Sequence, residues 1–168
     1  VVLHAFREYG ARCVEYFNGQ WALAIWDDVE RRLFLSRDRF GIRPLFYTRA
    51  EWGFLFASEI KSLFAHQGVA REIDPRGLCQ LLTYWAPLAP VTLFRGIEEF
   101  PPGHNLFVDA NRRIRLSRYW SLDYEPEMAC RSSEEWGEEL RELLADATRL
   151  RLRADVPVGA YLSGGLDS

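Results

Sequence analysis

Along the first 120 residues, hydrophobic positions fall mostly in short runs that are separated by turn-forming residues. Such runs predict β-strands, because successive side chains of a strand point to opposite faces of a sheet. Short polar connections join these runs in pairs, which predicts antiparallel hairpins. The predicted pairs are residues 20–26 with 32–37, 45–47 with 54–57, and 105–108 with 114–120. Residues 20–26 are hydrophobic on both faces, so we expect this strand to be buried on both sides.

Helical spacing of hydrophobic positions occurs at four places. Residues 1–9 have the pattern of an amphipathic helix that ends at Gly10, and Ser58-Glu59 opens a short second helix. Asp74-Pro75 predicts an N-cap followed by proline at the first helical position. Residues 132–135, Ser-Ser-Glu-Glu, have the pattern of a capping box. The helix that follows carries one hydrophobic stripe, formed by Trp136, Leu140, Leu143, Leu144, Ala147 and Leu150.

The last thirteen residues combine a hydrophobic run with a glycine-rich end. Residues 156–162 predict a buried strand, and Ser163-Gly-Gly-Leu-Asp-Ser168 predicts a turn that leads towards a helix. A helix, a strand and such a turn in this order form the start of a parallel α/β unit. Residues 121–131 are polar and aperiodic, so we expect a linker there, between a first domain at 1–120 and a second that starts at 132 and runs through 168.

Composition and charge exclude several classes of protein. The net charge is −3, and no basic stripe stands out beyond residues 149–153, so nucleic acid is not an expected partner. No hydrophobic run approaches the roughly 20 residues that cross a bilayer, so no membrane partner is expected. Cys13, Cys79 and Cys130 lack metal-binding spacing. They indicate three reduced thiols and a cytoplasmic protein.

The terminal turn offers backbone N–H groups, two hydroxyls and two glycines that let the main chain approach an anion closely. It lacks the lysine of a Walker A loop. The carboxylate of Asp167 would repel a phosphate, so its expected role is to hold Mg²⁺. A plain Gly-Gly turn at a domain edge is the structural alternative.

This terminal segment resembles the PP-loop, SGGxDS, of the N-type ATP pyrophosphatases. The resemblance implies that ATP is cleaved between its α- and β-phosphates, that an acceptor is adenylated, and that pyrophosphate leaves. It also implies an ATP and pyrophosphate site, with Asp167 on the Mg²⁺ and with Tyr161 and Leu162 near the adenosine. The implied site is made up of Tyr161, Leu162, Ser163, Gly164, Gly165, Leu166, Asp167 and Ser168.

A second candidate site lies in residues 37–45, where charged residues follow a predicted strand. The carboxylate of Asp38 could accept hydrogen bonds from an α-ammonium group, although a salt-bridged turn explains the same residues. The pattern RDxxGxxPL is similar to that of class II glutamine amidotransferases, in which the aspartate binds the α-amino group of glutamine. That resemblance implies an α+β N-terminal-nucleophile fold, an αββα sandwich. Residues 57–63 resemble the same family's ASE-x-K-x-L segment, with an implied structural role.

A class II domain followed by a PP-loop is the arrangement of the asparagine synthetase B family, which the whole chain resembles. The resemblance implies ATP-dependent amidation of aspartate with ammonia from glutamine, through β-aspartyl-AMP. Its substrates are glutamine, aspartate and ATP, with Mg²⁺ as cofactor, and a homodimer is left as an option.

The nucleophile of this family is an N-terminal cysteine, which none of the three cysteines matches. We therefore expect no catalytic residue within the chain and no activity from this stretch alone. Two alternatives are open: an enzyme of the same architecture that amidates another carboxylate, in polysaccharide or secondary-metabolite synthesis, and a non-catalytic scaffold.

Overall fold

The computed structural model describes residues 1–124 and 131–166. The chain divides into two compact units, Val1–Asp123 and Tyr124–Ser168, which we call unit 1 and unit 2. Within the described ranges, no helix has the length and hydrophobicity needed to cross a membrane.

Unit 1 contains two antiparallel sheets, three α-helices and one 3₁₀ helix. The larger sheet has the strand order β1-β2-β6-β7 and the smaller has the order β4-β3-β5. In chain order the elements are α1 (Val2–Tyr9), a 3₁₀ helix (Gly10–Tyr16), β1 (Ala22–Asp27), β2 (Arg32–Arg37), β3 (Phe46–Ala50), β4 (Gly53–Ala57), α2 (Ile60–Leu63), α3 (Pro75–Tyr84), β5 (Ile97–Glu99), β6 (His104–Val108) and β7 (Ile114–Arg118). The three predicted hairpins are confirmed as the pairs β1–β2, β3–β4 and β6–β7.

The hydrophobic core is split between the two faces of the larger sheet. On one face, Leu35 and Leu106 pack with Tyr47 of the smaller sheet and with Phe100, which directly follows β5. On the other face, Phe34 packs with Cys13 of the 3₁₀ helix and Phe6 of α1. Unit 1 is therefore an α+β structure in which a helical layer, one sheet and a second sheet are stacked.

Two expectations for unit 1 are wrong. The indole of Trp26 in β1 is half-exposed, so β1 is not buried on both sides. The reason is that β1 is an edge strand of its sheet. In addition, residues 86–102 are rich in proline, which predicts a loop, but the stretch contains β5, which pairs with β3 through Phe46 and Glu99. The three residues of β5 are too few to show a periodic pattern of hydrophobic positions. The strand forms because it pairs with β3, which is distant in the sequence.

The described part of unit 2 contains one long helix, α4 (Ser133–Arg151). The predicted capping box is confirmed, because the Ser132 hydroxyl accepts from the Glu135 N–H and the Glu135 carboxylate accepts from the Ser132 N–H. The hydrophobic stripe of α4 is exposed throughout. The strand expected at 156–162 is wrong for the described chain: these residues are exposed coil. A strand forms only against a hydrogen-bonding neighbour, and no described strand pairs with this run.

Candidate functional site

The carboxylate of Asp38 is almost completely buried, at 1% exposure, where β2 runs into the loop 38–44. Its Oδ1 accepts hydrogen bonds from the N–H groups of Phe40 at 3.2 Å and Ile42 at 2.9 Å. Its Oδ2 accepts from the N–H groups of Arg43 at 3.0 Å and Trp21 at 3.3 Å. Four main-chain dipoles therefore stabilise this buried charge, and the loop is wrapped around it.

The main chain of Asp38 is fixed as firmly as its side chain. Its N–H donates to the Trp21 carbonyl at 2.9 Å. Its carbonyl accepts from the N–H groups of Gly41 at 3.1 Å and Gly103 at 3.0 Å. Asp38 thus lies where the segment before β1, the end of β2 and the turn before β6 meet.

The guanidinium of Arg37 is buried beneath the same loop. It donates to the Gly41 carbonyl and to the Arg43 carbonyl, each at 2.7 Å. It also donates to the Phe100 carbonyl and, at 2.8 Å, to the carboxylate of Glu99. The planar fork of arginine suits such a set of acceptors, so Arg37 ties the loop to the end of β5.

Gly41 is required by this packing for two reasons. Its φ is +65°, in the left-handed region that L side chains rarely adopt. A Cβ at this position would also lie 2.9 Å from Pro102 and 3.0 Å from the guanidinium carbon of Arg37. The glycine in the RDxxG pattern therefore permits the close approach of the loop to Arg37.

A cavity of about 530 Å³ adjoins the loop. It is lined by Gln20, Trp21, Ala22, Arg43, Pro44, Ser58 and Glu59. Both donors to Asp38 Oδ2, Trp21 and Arg43, line the cavity, whereas Asp38 itself is buried behind them and is not a lining residue. The walls carry a cationic and an anionic side chain, which suits a small zwitterion.

Sequence reasoning did not identify Gln20, Trp21 or Arg43 as cavity residues, and it assigned Ser58 and Glu59 a structural role. Trp21 reaches the site through its main chain, from 17 residues before Asp38. A main-chain donor of this kind has no residue-type signature, so no sequence signal could have marked it.

Tyr119 contacts Arg37, the last residue of β2, through a hydrogen bond to its main chain. Its hydroxyl donates to the Arg37 carbonyl at 2.8 Å, and its ring stacks on Trp21 at 6.2 Å between centroids. Burial, and then the nearby charge of Asp38, raises the pKa of Tyr119 to about 12, although Arg39 acts in the opposite direction. Tyr119 is therefore a neutral donor at physiological pH.

The candidate nucleotide turn in unit 2 is described as far as Leu166, whereas Asp167 and Ser168 lie outside the described residues. Gly164 has a φ of +83°, and the Gly165 N–H donates to the Ser163 hydroxyl at 3.3 Å. Tyr161, Leu162 and Leu166 are exposed. The left-handed glycine suits a turn that presents main-chain N–H groups to an anion. Among the described residues, no group of three or more His, Cys, Asp or Glu could hold a metal ion.

Two family models match the chain in the order expected from its motifs. The model described as "Glutamine amidotransferase domain" matches residues 1–120. The model described as "Asparagine synthase" matches residues 139–168.

Among curated relatives, asparagine synthetase [glutamine-hydrolyzing] 3 of Bacillus subtilis is 38% identical over 169 residues, covering 100% of this chain and 27% of the relative. Amidase chry2 of Gibberella zeae is 38% identical over 170 residues, covering 100% of this chain and 25% of the relative. The chain thus spans about a quarter of the length of each.

A solved structure of glutamine phosphoribosylpyrophosphate amidotransferase from B. subtilis, complexed with ADP and GMP, matches 68% of this chain and 19% of its own. The TM-score is 0.40 and the sequence identity is 17%, so this likeness supports no argument about fold or function.

Proposed function

This chain belongs to the glutamine amidotransferase domain family, and on that premise we propose that the protein makes asparagine from aspartate, with ammonia released from glutamine. Aspartate is activated by ATP as β-aspartyl-AMP, with release of pyrophosphate. Ammonia then attacks the activated carbonyl, and AMP leaves. The order of the two family matches and the name of the B. subtilis relative support this proposal.

The observation that carries the proposal is the Asp38 carboxylate, held by four main-chain N–H groups beside a cavity. In this proposal the α-ammonium of glutamine binds Oδ2 from the cavity side, where the bond from Trp21 is the longest of the four. An amino acid fits easily in about 530 Å³. The proposed domain is an αββα sandwich at residues 1–120, joined by a linker at 121–131 to a PP-loop domain that starts at 132.

The nucleophile of glutamine hydrolysis is proposed to lie outside residues 1–168. Cys13 is fully buried, and this burial raises the pKa of its thiol, which disfavours the reactive thiolate. Cys79 lies on α3, and Cys130 lies outside the described residues. Neither described cysteine is placed beside Asp38 by a hydrogen bond or a cavity wall.

The nucleotide half of the proposal is argued from the sequence of residues 161–168. The main chain of Ser163, Gly164 and Gly165 would bind pyrophosphate, and Tyr161 and Leu162 would contact the adenosine. Asp167 would hold Mg²⁺, which neutralises charge on phosphate oxygens when bound. In this proposal the protein works in the cytoplasm, and the free thiols of Cys13 and Cys79 support that location.

A second candidate function is amidation of a carboxylate other than aspartate. The observation that favours it is the relative named Amidase chry2, which is as similar in identity as the asparagine synthetase from B. subtilis. The glutamine site would be the same in both cases, and only the acceptor would differ.

The test uses the full-length protein with glutamine, aspartate and ATP–Mg²⁺, and it follows AMP, pyrophosphate and asparagine. We expect all three products in equal amounts. Production of ADP in place of AMP would contradict the nucleotide half of the proposal. Glutamine hydrolysis without asparagine formation would favour another acceptor.

Two substitutions separate the half-reactions. Asp167→Ala is expected to abolish pyrophosphate release and to leave glutamine hydrolysis intact. Asp38→Asn is expected to raise the KM for glutamine, while synthesis from added ammonia continues because it bypasses the glutamine site. Equal loss of both activities in either variant would mean that the residue is structural.

A further inference from the structure

The peptide unit between Gly41 and Ile42 forms hydrogen bonds with both the Arg37 guanidinium and the Asp38 carboxylate. The carbonyl of Gly41 accepts a hydrogen bond from the Arg37 guanidinium at 2.7 Å. The N–H of the same peptide, which belongs to Ile42, donates to Asp38 Oδ1 at 2.9 Å. Because a peptide unit is planar, the group that holds its carbonyl also sets the direction of its N–H.

Arg37 also holds the loop at Arg43, whose carbonyl and N–H belong to two successive peptide units. The Arg43 carbonyl accepts from Arg37 Nε at 2.7 Å, and the Arg43 N–H donates to Asp38 Oδ2 at 3.0 Å. Arg37 therefore sets the direction of one donor to Oδ1 through a shared peptide plane, and it holds the main chain of the residue that donates to Oδ2.

The far side of Arg37 is anchored to a different part of unit 1. Glu99, at the end of β5, accepts from its guanidinium, as does the Phe100 carbonyl. The side chain of Arg37 is 5% exposed, so this set of bonds is largely shielded from water. The loop is thus fixed relative to the smaller sheet through one side chain.

We propose that Arg37 is a positioning residue for the amino-acid site, which fixes the Asp38 carboxylate beside the cavity through the 41–42 peptide and through its hold on the Arg43 carbonyl. The proposal rests on the proposed function, in which Asp38 binds the α-ammonium of glutamine. Arg37 itself contacts no substrate in this scheme.

The test is Arg37→Lys in the full-length enzyme, which keeps the positive charge beside Glu99 but cannot hold four acceptors with one ammonium group. We expect the KM for glutamine to rise by about tenfold or more with kcat changed by less than about threefold, because ground-state binding is weakened. Synthesis from added ammonia is expected to be unchanged. A merely structural role would lower the amount of active enzyme, and hence kcat, without changing KM.

The matched control is Arg49→Met. Arg49 forms an exposed ion pair at 2.9 Å with Glu98, the neighbour of Glu99 on the same strand. Its loss is expected to leave the KM for glutamine and the ammonia-dependent rate unchanged.

Gly41→Ala tests the same link without changing a charge, and it decides the matter if Arg37→Lys fails to fold. Its Cβ would push on the guanidinium and the loop, so the KM for glutamine should rise again. An unchanged KM in Gly41→Ala and in any folded Arg37→Lys enzyme would overturn the positioning role.

Asp38→Asn, measured in parallel, distinguishes this failure from failure of the proposed function. If Asp38→Asn raises the KM and the two loop variants do not, only the positioning role is wrong. If the wild-type enzyme does not use glutamine, or Asp38→Asn leaves the KM unchanged, the glutamine site itself is wrong and the positioning role falls with it.

Discussion

Two buried carboxylates in unit 1, Asp38 and Asp74, accept hydrogen bonds from main-chain N–H groups. Asp38 accepts four such bonds, and Asp74 accepts one from the Arg76 N–H at 2.8 Å together with an ion pair from the Arg76 side chain at 2.9 Å. Apart from the Trp21 N–H, the donors come from residues that follow the carboxylate in the chain. The two carboxylates therefore fix local main-chain conformation at the start of α3 and in the loop 38–44.

Asp74 predicts a dependence of stability on pH. Hydrogen bonds from the side chain and N–H of Arg76 lower the pKa of Asp74 to about 2, against a smaller opposing effect of burial. The pKa of aspartate in an unfolded chain is about 3.9. The folded pKa is the lower one, so this contribution to stability is complete above pH ~4 and is lost as the pH falls towards ~2.

The measurement compares wild type with Asp74→Asn, which keeps an N-cap acceptor but removes the charge. Urea unfolding should show the wild type to be more stable by a constant difference above pH ~5. That difference should shrink progressively as the pH is lowered towards ~2. A difference that stays constant or grows in acid would show that the charge of Asp74 is not the cause.

At the scale of secondary-structure elements, α3 is held against the loop that follows it. Gly77 lies in the first turn of α3, directly over the main chain of Thr92. The two segments can approach closely because Gly77 has no side chain, and the absence of a Cβ therefore determines how α3 packs.

We predict that Gly77→Ala destabilises unit 1 although alanine is the better helix former. The added Cβ would lie 2.0 Å from the Thr92 carbonyl oxygen, so the backbone of one segment must move. The helix propensity of alanine is favourable by about 1 kcal/mol, and overpacking costs about 1–3 kcal/mol, so a net loss in the free energy of unfolding is expected.

Gly137→Ala in α4 is the matched control, because no atom lies within 4 Å of the corresponding Cβ. Urea unfolding should show no loss of stability for this variant. A loss in both variants, or in neither, would contradict the role assigned to the contact with Thr92.

Elements with local signals were predictable from the sequence, and elements with distant partners were not. The caps of α3 and α4 and the three hairpins depend on residues a few positions apart, which a pattern records. By contrast, β5 exists because β3 lies beside it, and residues 156–162 fail to form a strand because no described partner is there. In the site, the motif identified Asp38, but its four donors are backbone groups that any residue type could supply.

At the scale of the whole molecule, the two units differ in how they bury hydrophobic surface. Unit 1 has two hydrophobic cores, one on each face of its larger sheet, and each is formed by residues from several elements. In unit 2, the hydrophobic stripe of α4 and the residues of 156–162 are exposed. The cooperative stability of the 168-residue chain should therefore come from unit 1.

A pair of leucine substitutions tests this difference. Leu35 is completely buried between the sheets, and Leu35→Ala is expected to lower the free energy of unfolding by about 2–5 kcal/mol. Leu143 in α4 is 62% exposed, and Leu143→Ala is expected to change the free energy of unfolding by less than about 0.5 kcal/mol. Both are measured by urea unfolding of the chain 1–168, and comparable losses would show that α4 is buried in solution.

The main-chain hydrogen bonds to the Asp38 carboxylate have a consequence for protein engineering. Positions 40, 42 and 43 donate through their main-chain N–H groups, so their side chains are not needed to hold the carboxylate. A combinatorial library at these positions can change the surface of the loop, including Arg43 in the cavity wall, while the carboxylate keeps its place. Proline is the residue to leave out of that library, because it alone has no N–H to give.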